Sequence, residues 1–280
     1  VIDVLGILFS LIASLLWGIN GIFLRKGLEK ANVISATFTV VSIVTLITFI
    51  FSIKNIHETQ FRADKAIMLA LAGIFSYFIA RVTTYMSVTS IGSSRAFSGT
   101  STRIMFSAIF GVFFLHEILN MLILTGTILM IFGLYIFSTE EIDRRGIYTA
   151  TISGFFYGLA SLLIKAGMLD NIFLSTFIAS ISGLLVLGIY ASTKNCLKFV
   201  NNKYLLVSAT SLAIGNISYY FALSLAPLTV VVPISNLYPL ITTTLSYLFI
   251  QKLESIGVKT FLGSLLAVLG SILIAIGINP

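Results

Sequence analysis

The sequence is built of apolar runs, each about 20 residues long and set apart by short polar breaks. As a helix, a run of that length rises about 30 Å, the thickness of a bilayer's hydrocarbon core. A soluble chain has no use for this rhythm. Soluble domains average about 45–50% apolar and about 25% charged residues, whereas these 280 residues are 58% hydrophobic and 10% charged. The chain is therefore expected to be an all-α integral membrane protein. A transmembrane barrel would alternate apolar and polar residues with period two, and these runs do not. They predict ten spanning helices: Val4–Leu24, Val33–Ile53, Ala66–Val88, Ile91–Leu115, Ile118–Ser138, Gly146–Ile164, Ile172–Tyr190, Tyr204–Leu225, Leu228–Ile250 and Ile256–Ile278. The first run has no basic leader or cleavage signal before it and reads as a helix, not as a signal peptide.

The formal charge of +7 would suggest nucleic acid in a soluble domain, but most of the cations lie in the breaks, where they set membrane orientation. Nucleic acid is rejected as a partner. With loops assigned alternately, one side holds Arg25, Lys26, Lys30, Arg144, Arg145, Lys194, Lys198, Lys203, Lys252 and Lys259. The side of the termini holds mainly Lys54, Arg62, Lys65 and Lys165. The positive-inside rule then puts the termini outside. Cys196 is the lone cysteine, so neither an internal disulfide nor a thiolate metal cluster is expected.

The chain repeats itself. WGINGIFLRKG, from Trp17 to Gly27, is answered by YGLASLLIKAG, from Tyr157 to Gly167, with Arg25 matched by Lys165. Glu117, Gly126 and Gly133 return with the same spacing as Glu254, Gly263 and Gly270. Two five-helix halves, residues 1–140 and 141–280, are thus expected in one structural unit. An odd number of crossings inserts the second half upside down, the inverted-repeat plan that places a substrate site near the midplane and alternates access to it.

On these residues, together with Trp17-Gly18, SIGSSRAF from Ser90 and LAPLTVVVPISNLYP from Leu225, the sequence resembles the drug/metabolite transporter superfamily of EamA type along essentially its whole length. The resemblance implies a ten-helix bundle around a central cavity lined by helices 1, 3, 4, 6, 8 and 9, with helices 5 and 10 peripheral. It also implies cytoplasmic termini, against the charge count, and a multi-pass protein of the plasma membrane. Where the second half has Tyr238-Pro239, the first has Thr102-Arg103, a departure from the proline the family often shows there.

The polar residues inside the runs are the candidates for substrate contact. Arg103 falls at the middle of the fourth run, where a guanidinium costs on the order of 3 kcal/mol and needs a partner, water or a ligand. Arg95 lies near the start of that run, and Thr100 between them. The plainer reading of both arginines is snorkelling or helix propping. On the third run Arg81 stands four residues from Tyr77 and from Tyr85, a shared face that could hold an anion or simply pack by cation–π contact. Trp17 and Asn20 on the first run, Asn216, Tyr219 and Tyr220 on the eighth, and Asn236 and Tyr238 on the ninth complete the set. Pro233 and Pro239 free backbone carbonyls around Asn236, for a ligand or merely for a kink.

None of Asp3, Glu29, Glu58, Glu117, Glu140, Glu141, Asp143, Asp170 or Glu254 falls at a helix centre. The embedded charge is positive, which disfavours cationic drugs and proton antiport through a buried carboxylate. It favours a small-molecule substrate carrying a carboxylate, such as an amino acid or a related acid, moved by facilitated diffusion or exchange; an organic phosphate is the alternative. His116-Glu117 has no second histidine at metal spacing and no nucleotide-binding loop occurs, so no enzyme, metal or cofactor is expected. A monomer in the lipid bilayer is expected.

Overall fold

The apolar runs do fold as helices, but two of them do not fold as one helix each. The computed structural model describes residues 4–53, 62–115, 121–138, 143–253 and 257–277, and among these no strand occurs. The helices are α1 (Val4–Leu28), α2 (Val33–Ser52), α3 (Ala63–Gly73), α4 (Arg81–Ile91), α5 (Ser93–Thr100), α6 (Arg103–Leu115) and α7 (Met121–Ser138). They continue as α8 (Arg144–Gly167), α9 (Ile172–Thr193), α10 (Lys203–Leu225), α11 (Leu228–Ser235), α12 (Tyr238–Phe249) and α13 (Val258–Gly277). A π-helical segment, Ile74–Ala80, joins α3 to α4 without interruption. Six helices are long and apolar enough to cross a membrane: α1, α2, the continuous Ala63–Ile91, α8, α9 and α10.

The expected unbroken fourth and ninth helices are instead split, each for a local reason. In the fourth run, hydroxyls compete for carbonyls that an α-helix would use. Thr100 Oγ1 donates to Phe97 O at 2.9 Å and Thr102 Oγ1 to Gly99 O at 3.0 Å, and the chain turns through Ser101 and Thr102 before α6 begins at Arg103. In the ninth run, Pro233 and Pro239 each remove an N–H, and the helix opens at Asn236 and Leu237. Between α4 and α5 the chain turns at Gly92, whose φ of 84° is cheap only without a Cβ.

The distribution of side chains suits lipid. On α1, Leu8, Leu11, Ile12 and Leu15 face outward, while Gly6, Ser10, Ala13, Ser14, Gly18 and Asn20 are buried. Small and hydroxylated residues inside let helices approach closely and bond across, the pattern of membrane bundles. Thr48 bonds Ser180 at 3.0 Å across α2 and α9, and Ser264 on α13 bonds both Ser98 at 2.8 Å and Thr243 at 3.0 Å. Such bonds average about 0.6 kcal/mol each in a membrane, so the fold needs many of them.

Packing pairs α1 with α10, α2 with α9, and α7 with α13, while α8 packs along α3, the π segment and α4. Gly126, Gly133, Gly263 and Gly270, the repeated glycines, are all buried. Their partners in the repeat, Glu117 and Glu254, lie outside the described residues, as do Glu140 and Glu141 at the expected division of the chain.

Candidate functional site

α8 comes close enough to the break before Arg103 only because Gly154 has no side chain. A Cβ there would stand 2.0 Å from Thr102 Oγ1 and 3.0 Å from Arg103 N. The approach seats Arg103 at the start of α6, pointing across the bundle to α11, where its Nη2 donates to Ser235 Oγ at 2.7 Å. Three aromatic faces enclose the guanidinium: its Cζ lies 4.8 Å from the Trp17 ring centroid, 5.5 Å from Tyr219 and 5.6 Å from Tyr238. No carboxylate accompanies it. The described carboxylates, Glu29, Asp64, Asp143 and Asp170, are all exposed, and Asp64 pairs with Arg62 at the surface.

Arg81 follows the π segment, a local widening that inserts extra backbone and often marks a working site. Its Cζ lies 5.4 Å over Tyr157 and 6.0 Å over Tyr77, and its Nε has no hydrogen-bond partner among the described residues. Arg81 and Arg103 are 8% and 5% exposed, and they are the buried cations among the described residues.

Both arginines open onto a cavity whose empty space, with the open solvent at its opening included, is about 660 Å³, lined from α1, the π segment, α4, α5, α6, α8, α10 and α12. Residues of α2, α7, α9 and α13 do not line it. Of the residues singled out in the sequence, Trp17, Asn20, Tyr77, Arg81 and Thr100 meet in its wall. So do Arg103, Asn216, Tyr219, Tyr220 and Tyr238. A hydrogen-bonded chain ties three of them together: Trp17 Nε1 donates to Asn216 Oδ1 at 2.9 Å, and Asn216 Nδ2 to the Tyr77 hydroxyl at 2.9 Å. Asn20 Nδ2 donates to Ser208 O and Oγ at 2.8 and 2.7 Å, Tyr219 donates to Ser161 Oγ at 2.9 Å, and Thr100 pairs with the Tyr238 hydroxyl at 2.6 Å.

Three candidates lie elsewhere. Arg95 is half-buried in the first turn of α5, separated from Arg103 by the break at Ser101 and Thr102, and is not among the residues that line the cavity. Tyr85, one turn beyond Arg81, is wholly buried in the apolar core. Asn236 is wholly buried in the break after α11, away from the cavity wall, and its amide has no hydrogen-bond partner among the described residues.

Tyr157 and Ser161 line the cavity and escaped the sequence reading, as did Ser76, Thr84 and Phe97. The signal for Tyr157 was present, since it stands 140 positions after Trp17 in the repeated segment. The helix breaks give a second offset. From Ser93 to Leu228, Thr100 to Ser235 and Arg103 to Tyr238 the separation is 135 positions. The break therefore pairs Arg103 with Tyr238, shifting by one residue the match of Thr102-Arg103 with Tyr238-Pro239 made from the sequence. The same offset pairs Arg81 with Asn216.

Four buried polar atoms at this wall lack a hydrogen-bond partner among the described residues: Arg81 Nε, Arg103 Nε and the hydroxyls of Tyr157 and Tyr220. Buried polar groups are nearly always satisfied by protein, water or ligand. The arrangement can hold an anion by forked donors, and it offers no carboxylate, histidine or cysteine for acid–base or nucleophilic work among its lining residues.

Comparison with known proteins agrees on the kind of molecule. The model of the EamA-like transporter family matches residues 4–139 and 144–276. A protein of Archaeoglobus fulgidus described as an uncharacterized transporter is 24% identical over 162 residues, which are 57% of this chain and 58% of that relative. The match thus spans little more than half of that relative's length. An uncharacterized protein of Methanocaldococcus jannaschii is 31% identical over 125 residues, 43% of this chain and 89% of the relative. One solved crystal structure shares the fold with a TM-score of 0.70 at 13% identity, covering 96% of this chain and 97% of the other.

Proposed function

The chain belongs to the EamA-like transporter family, and from that membership we propose that it is a secondary transporter of small organic anions working by alternating access. The substrates are carboxylates, amino acids among them, or organic phosphates, and the membrane is the plasma membrane. The observation that carries this reading is the pair of buried, carboxylate-free guanidiniums facing one cavity, with unpartnered donors in its wall.

Ten crossings in two inverted halves supply the movement. The packing supports this: exchanging the halves turns the contact of α1 with α10 into that of α8 with α4, and leaves α2–α9 and α7–α13 as self-matched pairs. Two matched close contacts would serve as the closures on the two sides. A Cβ on Gly6 would stand 2.8 Å from Ala226 Cβ, and one on Gly146 2.5 Å from Ile91 Cγ2; both pairs match through the offsets of 140 and 135 positions. In alternating access one closure parts while the other holds.

Arg103→Gln tests the reading. Purified protein in liposomes is expected to take up a labelled carboxylate or phosphate ester, and the variant, if folded and monodisperse, is expected to lose that uptake. Normal flux through the variant would make Arg103 structural and remove the support for an anionic substrate.

A further inference from the structure

We infer that the cavity takes a dianion, a dicarboxylate or a phosphate monoester whose two charges are shared between Arg81 and Arg103, and that the transporter is an obligate exchanger. This rests on the transport reading above and narrows it.

The cavity holds two permanent positive charges. A guanidinium does not deprotonate in a protein, so neither arginine can shed its charge to become cheap inside the membrane. The five rings beside them soften the cost without changing the net charge, and Ser235 Oγ is neutral. No Asp or Glu of the sequence lies within the apolar centre of a run, and no described carboxylate brings a counter-charge to this depth. A ligand of charge −2 leaves the loaded cavity neutral. A monoanion leaves it positive, and a zwitterionic amino acid leaves it doubly positive while placing an ammonium near two guanidiniums with no acid to receive it.

The geometry gives each charge its own seat. Arg103 belongs to α6 and leans on Trp17 of α1, while Arg81 belongs to α4 and leans on Tyr157 of α8. The hydroxyls of Ser76, Thr84, Thr100 and Ser161 already donate to backbone carbonyls, whereas those of Tyr157 and Tyr220 have no partner among the described residues and can donate to the remaining oxygens of such a ligand.

Exchange follows from the same charge. Alternating access requires the cavity to close on both sides at some moment, and a closed cavity excludes the water that would solvate two cations. Loaded with a dianion, the carrier closes as a neutral site. Empty, it must close around a charge of +2. The return step is therefore slow unless another dianion rides back.

The test uses the full chain in liposomes with succinate and glycerol phosphate as probes, and lactate and alanine as the single-charge and zwitterionic comparisons. Uptake of at least one dianion into vesicles preloaded with it is expected to exceed uptake into empty vesicles by about tenfold or more, while lactate and alanine move little. Acidification adds an arm that needs no variant. Phosphate monoesters take up a second proton near pH 6, so glycerol phosphate exchange is expected to fall as pH drops through 6. Arg81→Gln, with a charge of +1 left, is expected to lose dianion exchange and to admit lactate, while Arg81→Lys keeps a preference for dianions. Equal uptake into loaded and empty vesicles, or lactate or alanine as the better substrate of the unaltered protein, overturns this inference and leaves the transport reading standing. Absence of flux for all four probes in monodisperse protein overturns both.

Discussion

Trp17 and Tyr157 occupy equivalent places in the first helix of each half, and each carries a guanidinium on its face: Arg103 at 4.8 Å from Trp17 and Arg81 at 5.4 Å from Tyr157. The two aromatics obey the repeat, but the two arginines do not. Their counterparts are Tyr238 and Asn216. The matched positions follow the repeat, and the charge among them is placed asymmetrically. Each consequence below can be measured.

The Tyr157 ring, not its hydroxyl, supports Arg81, since the hydroxyl has no hydrogen-bond partner among the described residues. Tyr157→Phe keeps the ring and is expected to leave the midpoint of thermal unfolding in detergent unchanged, while it removes one unpartnered donor of the cavity wall. Tyr157→Leu removes a cation–π contact of about 0.5–2 kcal/mol and is expected to weaken substrate affinity by roughly threefold to thirtyfold, read as the half-saturation of vesicle uptake.

Gly154 is needed for its lack of a side chain. Gly154→Val would drive methyl groups into Thr102 and the backbone of Arg103, and overpacking of this kind typically costs about 1–3 kcal/mol. A lowered midpoint of thermal unfolding in detergent, together with lost transport, is the expected outcome. An unchanged midpoint would mean that α8 can move away from the break at no cost.

Lys165 fastens the end of α10. Its Nζ donates to Leu223 O at 2.5 Å and to Ala226 O at 3.0 Å, capping that helix beside the contact of Gly6 with Ala226. Cations favour helix C-termini by about 0.3–1 kcal/mol or more when partly buried. Lys165→Met is expected to loosen that contact, seen as faster modification of a cysteine placed at Ala226. An unchanged rate would make Lys165 a static cap.

Cys196 lies just beyond α9 and is partly exposed. If the termini are cytoplasmic, an impermeant thiol reagent labels it on intact cells. Protection from outside, with labelling after permeabilisation, would favour the orientation that the loop charges alone imply.

Much of this was legible in the sequence because membranes impose a coarse code. Run length gave helices, and the Trp17 and Tyr157 segments suggested a duplication. Arg81 and Arg103 stood out because a cation inside an apolar run is costly enough to demand a reason. The rest was set by backbone detail that periodicity does not carry. The SGTSTR stretch looked like helix, yet its hydroxyls divert the carbonyls that a continuous helix would use. Arg95 looked equivalent to Arg103 by type, yet it belongs to α5, on the other side of the break, and does not line the cavity. Tyr157 read as part of a repeat instead of part of a site, because its role depends on an arginine brought in from another helix.

Trp17 is the chain's one tryptophan and lies against Arg103 in the cavity wall, so the protein carries its own reporter of substrate. Titration of its fluorescence in detergent with succinate and with glycerol phosphate is the direct measurement. A saturable change with at least one of them, absent in monodisperse Arg103→Gln protein, is expected if an anion binds at the arginine. A flat titration with both, or a saturable change of equal affinity in the variant, would contradict an anion site built on Arg103.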